Sequence, residues 1–225
     1  MPTQDEPFEA RSFETMRRAM VDSQLRPSDV TDRGIVAAMA SIAREDFVPA
    51  DRARVAYTDR AIPLGNGRSL NPPLTTGQML VAADLRPDDH VLLVGAGTGY
   101  VAAILARIVA NVVALESDEM LADRAAAALG DLANVTVARG PLAKGWPERE
   151  PYSLILVDGA VEHIPDTFAG QLAPGGRLVT ALDDRGVARI ARGVATEGAI
   201  SLMPLSDVEA ASLPGFERAR HFIFS

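Results

Sequence analysis

The sequence predicts an α/β fold, a mostly parallel sheet between two helical layers, carrying a helical extension at its N-terminus. Three observations predict it. From His90 onward, short apolar runs alternate with amphipathic ones, the pattern of a sheet covered on both faces. The first of those runs ends in a glycine-rich turn, Gly95-Ala96-Gly97-Thr98-Gly99. Before His90, apolar residues recur at helical rather than strand spacing.

Residues 1–9 carry acids in place of the positive start and apolar run of a signal peptide, and they read as a short disordered lead-in. Residues 8–57 read as helical, with Phe13, Met16, Met20 and Leu25 on one face. Asp29 or Thr31 is placed to cap a second helix containing Ile35, Ala38, Met39 and Ile42. Residues 62–73 form a loop that Pro63, Pro72 and Pro73 keep from being a helix or a central strand. Thr75 or Thr76 then opens a helix running to Leu85. Strands follow at 91–94, 112–115, 135–138, 154–157 and 177–181. Helices lie between them at 100–110, 118–129, where Asp118 and Glu119 favour the N-terminus, and 168–172, ended by Pro174-Gly175-Gly176. Residues 187–194, 200–205 and 220–224 read as further strands, antiparallel at one edge. The chain therefore divides into an extension and loop, 1–74, and an α/β domain, 75–225, in one compact unit.

At 225 residues the chain builds one sizeable core. Its 48% apolar and 23% charged residues are an ordinary globular composition. The apolar stretch at 101–115 is broken by Arg107 and Asn111 and is too short and polar to span a membrane. The absence of cysteine excludes a disulfide framework, a thiolate metal site and a cysteine nucleophile. His90, His163 and His221 lack ligand-spaced companions, so no metal site is expected. A net charge of −8 argues against general nucleic-acid binding, which needs a basic surface. The expected compartment is the cytoplasm, and the sequence carries no signature of oligomeric state.

The strongest local signal is the run from Val91 to Tyr100. Glycines at the carboxyl end of a first strand let the backbone turn sharply and approach a ligand. Glu116 ends the second strand, 21 residues after Gly95, where a carboxylate accepts the ribose hydroxyls of a nucleotide-type cofactor. A glycine triplet alone marks only a tight turn; the flanking strand and helix and Glu116 raise it above that. A dinucleotide fold wants a small residue three positions after Gly97, and Tyr100 stands there. S-adenosylmethionine has no phosphates and needs only the close backbone approach and the acid. The loop therefore leans towards the methyl donor.

Several segments together resemble the protein-L-isoaspartate (D-aspartate) O-methyltransferases. They are Met20-Val21 with Gln24-Leu25, then Arg44-Glu45-Asp46-Phe47-Val48-Pro49, and Ala56-Tyr57-Thr58-Asp59. Ile62-Pro63-Leu64-Gly65 leads into Gly67-Arg68-Ser69-Leu70-Asn71-Pro72-Pro73. The glycine loop, Asn134-Val135, the stretch 155–165, Gln171-Leu172 and Pro174-Gly175-Gly176-Arg177-Leu178 continue the match in order. The resemblance runs over about residues 15–205. It implies a Rossmann-like S-adenosylmethionine-dependent methyltransferase fold and transfer of a methyl group to the carboxylate of isoaspartyl residues in damaged proteins or peptides, with S-adenosylhomocysteine as product. The ester then collapses to a succinimide, which hydrolyses partly to normal aspartate. A carboxyl of pKa roughly 4 is already ionised at neutral pH, so such a site needs no base. Alignment and exclusion of water suffice.

The cofactor is expected on Gly95, Ala96, Gly97, Thr98, Gly99, Glu116, Ser117, Pro141, Leu142 and Asp158, and the acceptor against Ser69 and Asn71, while Asp59 either orients the substrate loop or caps a turn. Three positions depart from the family pattern. Asn71 stands where members usually carry the serine of a Thr-Ile-Ser run, and an amide still donates a hydrogen bond to a carboxylate. Leu93 replaces an acid two residues before the glycine loop. Gly140-Pro141-Leu142 replaces Gly-Asp-Gly, removing the side chain that meets the adenine amino group. Asp158, after the fourth strand, is the residue placed to compensate. His163 with Glu162 reads as the start of a surface helix or a base, Trp146 as the cover of a core edge, and Arg189 and Arg192 as a solvated strand face. Three functions stay open on these residues: the isoaspartyl methyltransferase, a methyltransferase for another acceptor, and a non-catalytic paralogue with weakened cofactor binding.

Overall fold

The computed structural model of the protein describes residues 6–196 and 198–218. Helix α1 (Glu6–Met20) passes unbroken into a π-helical turn at Val21–Leu25. Residues 6–9 are thus helical rather than part of a disordered lead-in. Phe13 and Met16 pack against the core, and Met20 and Leu25 are buried in it, as their spacing requires. Helix α2 (Arg33–Ser41) is capped by Asp32, whose Oδ1 accepts the Ile35 N–H at 2.9 Å, not by Asp29 or Thr31. Asp29 instead ends the preceding turn in a left-handed conformation (φ 64°).

The proline-containing loop is more ordered than its composition indicates. Strands β1 (Ile62–Gly65) and β2 (Arg68–Leu70) form an antiparallel hairpin separate from the main sheet, with Pro63 opposite Ser69. Both strands of a two-stranded hairpin are edges, so Pro63 deprives no central ladder of a donor. Helix α3 (Pro73–Ala83) then begins with proline in its first turn, two residues earlier than Thr75.

The remaining elements are β3 (His90–Val94), α4 (Tyr100–Leu105), β4 (Asn111–Glu116), α5 (Glu119–Leu129), β5 (Val135–Arg139), β6 (Tyr152–Val161), α6 (Thr167–Gln171), β7 (Leu172–Asp184), β8 (Val187–Thr196) and β9 (Ala199–Asp207). Helix α4 is shorter than its apolar run, which continues to Val109 as turns. Strand β7 is longer than expected because Pro174-Gly175-Gly176 bulges out of it: the register jumps from Tyr152 opposite Leu172 to Leu154 opposite Arg177. The strand expected at 220–224 lies outside the described residues.

The sheet order is β5-β4-β3-β6-β7-β8-β9, with the first five parallel and β8 and β9 antiparallel at one edge. Alternate strand residues feed two cores. Val91, Leu93, Val112, Ala114, Leu154 and Leu156 face α2, α3, α4 and α5, while Leu92, Val94, Val113, Leu115, Ile155 and Val157 face Tyr152, Phe168, Leu213 and Phe216. The chain winds outward from β3 through β4 to β5, then returns to place β6 on the other side of β3. That reversal opens a crevice at the carboxyl ends of β3 and β6, the position where open α/β sheets bind ligands.

Candidate active site

Glu116 is the last residue of β4 and is fully buried. Its Oε2 accepts the Gly97 N–H at 2.7 Å, and its Oε1 accepts the N–H groups of Ser117 (2.8 Å) and Asp118 (3.0 Å). Oε1 also pairs with Nη1 of Arg68, which reaches over from β2 and is only 5% exposed. Gly95 and Gly97 turn with φ of +84° and +56°, a conformation that L side chains rarely adopt. A Cβ on Gly95 would lie 2.8 Å from Leu213 Cδ1 and 3.4 Å from Arg68 Nη2, so only glycine fits on this ledge beneath those two side chains.

The acceptor-side loop meets this ledge through Asn71. Its Nδ2 donates to Asp158 Oδ1 at 2.7 Å, and its Oδ1 accepts the Ala211 N–H at 2.7 Å. The two contacts need opposite ends of the amide and so fix its orientation. Asp158 lies where the β6–β7 register shifts, and its side chain meets Asn71 there. Burial pushes its carboxyl up to about 6, against the Asn71 hydrogen bond and the charges of Arg68 and Arg44, which pull it down.

Residues that looked like family markers in the sequence hold this loop in place. Arg44 is fully buried and donates to the carbonyls of Ala56 (2.7 Å) and Asn71 (2.6 Å), with its guanidinium 4.7 Å from the Tyr100 ring centroid. Burial lowers its pKa from the usual guanidinium range. Glu45 pairs with Arg17 at 3.0 Å and accepts the Tyr57 hydroxyl, whose pKa burial raises. Gln24 donates to the Tyr57 carbonyl at 2.9 Å. Thr98 Oγ1 donates to the Phe47 carbonyl at 2.5 Å, tying the glycine turn to the Phe-Val-Pro segment.

The structure thus brings Gly95, Gly97, Glu116, Asn71 and Asp158 to one crevice, with exposed Ser117 at its lip. Asp59 is exposed, and its Oδ1 caps α3 by accepting the Leu74 N–H at 3.0 Å. Ser69 sits mid-hairpin opposite Pro63, and the Thr98 hydroxyl is committed to Phe47. Leu142 packs into the second core, Leu93 into the first, and Pro141 is exposed. A ring nitrogen of His163 lies 2.8 Å from the Phe216 carbonyl, and the next helix starts only at Thr167 rather than at His163. Trp146 lies against Gly140 and the second core, covering a core edge. Among the described residues, no group of three or more acids and histidines is arranged to hold a metal.

Two features had no reading in the sequence. One is Arg68, identified there only as part of a motif. The other is the segment from Val208 to Phe216, which crosses the rim of β6: Ala160 donates to Ala211 at 2.7 Å, Leu213 donates back to Ala160 at 2.9 Å, and Leu213 packs over Gly95 and Gly159. Its residues follow no helical or strand period, so only its two buried apolar anchors, Leu213 and Phe216, signalled it.

Comparison with known proteins gives a consistent result. The family described as protein-L-isoaspartate(D-aspartate) O-methyltransferase (PCMT) matches residues 15–208. A protein-L-isoaspartate O-methyltransferase of Rhodopseudomonas palustris is 38% identical over 213 residues, 93% of this chain and 87% of that one. A protein of the same name from Roseiflexus castenholzii is 40% identical, covering 90% of this chain and 94% of its own length. Among solved structures, a protein-L-isoaspartate O-methyltransferase superposes with a TM-score of 0.74 at 23% identity; the match covers 88% of this chain and 66% of that longer one. A Plasmodium falciparum structure described as a putative member in complex with S-adenosyl-L-homocysteine gives 0.75 at 17% identity, over 88% of this chain and 97% of that one. These two structures share the fold.

Proposed function

This chain belongs to the protein-L-isoaspartate(D-aspartate) O-methyltransferase family, and from that premise we propose that it transfers a methyl group from S-adenosylmethionine to the carboxylate of isoaspartyl residues in damaged proteins. The observation that carries the proposal is the meeting of Glu116, the Gly95–Gly97 ledge and the Asn71–Asp158 pair at one crevice, in a chain whose family members bear that activity in their names.

The residues present fit the cofactor. A fully buried carboxylate beside a glycine turn, with Oε2 held by a single N–H, suits a ribose diol. When bound, S-adenosylmethionine supplies a methyl group already activated on a sulfonium. Glu116 would accept from the ribose hydroxyls, and the glycine backbone would allow close approach without a side chain of its own in the way. Asn71 retains a second Nδ2 hydrogen beyond the one given to Asp158, and that hydrogen orients the acceptor carboxylate. Arg44 holds Asn71 in place through its backbone carbonyl. No residue needs to remove a proton, because the nucleophile is an ionised carboxylate.

The test is incubation of the purified protein with S-adenosylmethionine and matched peptides containing isoaspartate or aspartate. Methyl incorporation into the isoaspartyl peptide alone is expected. Incorporation into neither peptide would refute the activity.

A further inference from the structure

The polar partners of Glu116 leave a charge to be accounted for. Its Oε1 already takes four donors, the N–H groups of Ser117 and Asp118, the Ser117 hydroxyl at 3.4 Å and the guanidinium of Arg68. A carboxylate oxygen offers about two lone-pair directions. A diol that engages Glu116 through both oxygens therefore has to displace Arg68, since the two backbone N–H groups are fixed by the start of α5. Arg68 is 5% exposed and, among the described residues, has no ion-pair partner besides Glu116. A guanidinium at that depth does not stand alone without a large desolvation cost. Asp158 and Asp118 are both close enough to feel its charge, but Asp158 Oδ1 is engaged by Asn71, and the Asp118 oxygens accept from the Leu121 N–H and the Asn66 amide. A carboxylate without such engagements is one that arrives with the reactants.

We propose that Arg68 is a specificity residue that reads a carboxylate of the reacting pair, pairing with Glu116 until the ribose hydroxyls claim that carboxylate and then turning to the carboxylate of the acceptor. The inference rests on the methyltransferase reading above. Two reactant carboxylates share this chemistry, the acceptor's and the one on the methionine portion of the cofactor. Position favours the acceptor's: Arg68 opens β2, and Asn71 follows directly after that strand, three residues along. The charges balance. One carboxylate oxygen forms the new bond to the methyl carbon as the sulfur–methyl bond breaks, the electron pair staying on sulfur, and Arg68 holds the other oxygen. The carboxylate and sulfonium charges vanish together, leaving a neutral ester and thioether and no proton to move. Arg68 then has no anion in the product to hold, and its return to Glu116 favours release.

The experiment compares wild type, Arg68→Gln and Arg68→Lys by calorimetry with S-adenosylhomocysteine and by steady-state kinetics with an isoaspartyl peptide; a thermal melt identifies any variant that fails to fold. The expected result for Arg68→Gln is unchanged or tighter S-adenosylhomocysteine binding, with KM for the peptide raised about tenfold or more and kcat changed far less. Arg68→Lys, which keeps the charge but loses the planar fork, should fall between and supplies the test if the glutamine variant does not fold. Binding of S-adenosylhomocysteine weakened tenfold with peptide KM unchanged would overturn the proposal in favour of the cofactor's carboxylate. No change in either quantity would overturn it outright. Failure of the methyltransferase reading looks different, because wild type itself would then neither bind S-adenosylhomocysteine nor turn over the peptide.

Discussion

The two rims of the sheet each bury an arginine–carboxylate pair, and the pairs differ in what surrounds them. At the amino rim, Asp89 precedes β3 and takes Arg177 Nη2 at 2.6 Å, Ser153 Oγ at 2.7 Å and the Arg86 N–H at 2.8 Å, while Arg177 Nε donates to the Ala83 carbonyl at 3.0 Å. The pair ties the end of α3 to β7 and β6. At the carboxyl rim, the Arg68–Glu116 pair joins a hairpin outside the main sheet to a glycine turn built for ligand approach. The same two chemical groups serve as a rivet in one place and as an exchangeable contact in the other. The topological switch between β3 and β6, present only at the carboxyl rim, makes the difference.

The largest expected effect tests the rivet. Asp89→Ala should cost about 3–5 kcal/mol of unfolding free energy, the usual result of leaving one member of a buried pair without its partner. Chemical denaturation measures it, and S-adenosylhomocysteine affinity of the folded protein should not change. Glu116→Gln should cost a comparable amount, about 3–5 kcal/mol, because it leaves the buried Arg68 guanidinium without its charged partner. It should also lose one to two decades of S-adenosylhomocysteine affinity, on the order of 10–100-fold. A Glu116 variant that loses stability but keeps its affinity would erase the distinction between the rims.

A subtler test uses pH. Asp158 titrates near 6 in the folded protein against the ordinary 3.8, so its protonated form favours the native state. That stability is fully present below about pH 4 and is lost as pH rises through about 6, by roughly 1–3 kcal/mol. Asp158→Asn, which cannot ionise, should flatten stability over this window. Melting curves of the two proteins between these pH values decide it. The smallest effect belongs to Asp59. Asp59→Ala should cost about 1 kcal/mol through the lost N-terminal contact to Leu74 and leave peptide kinetics unaltered.

How much of this was legible in the sequence follows from the distance along the chain over which each feature is built. The β3–glycine turn–β4 unit with Glu116 could be read because strand, turn, helix and acid lie within about thirty residues and each carries its own local signal. Helix boundaries slipped where a cap competed with its neighbours, as with Asp32 against Asp29 and Thr31. The hairpin at 62–70 was obscured by Pro63, which argues against a central strand but not against an edge. The pairing of Arg68 with Glu116 spans 48 residues and that of Asn71 with Asp158 spans 87, separations at which a single sequence carries no pattern. Leu93 was read as a lost polar support of the pocket, whereas strand alternation points it into the first core.

The central claim is that the carboxyl-rim crevice is a working S-adenosylmethionine site despite Leu93 and Pro141. Isothermal calorimetry of the wild-type protein with S-adenosylhomocysteine tests it most directly. A dissociation constant in the micromolar range, on the order of 1–100 μM, is the predicted result. No binding heat at about millimolar ligand, from protein shown to be folded by its melting transition, would contradict it.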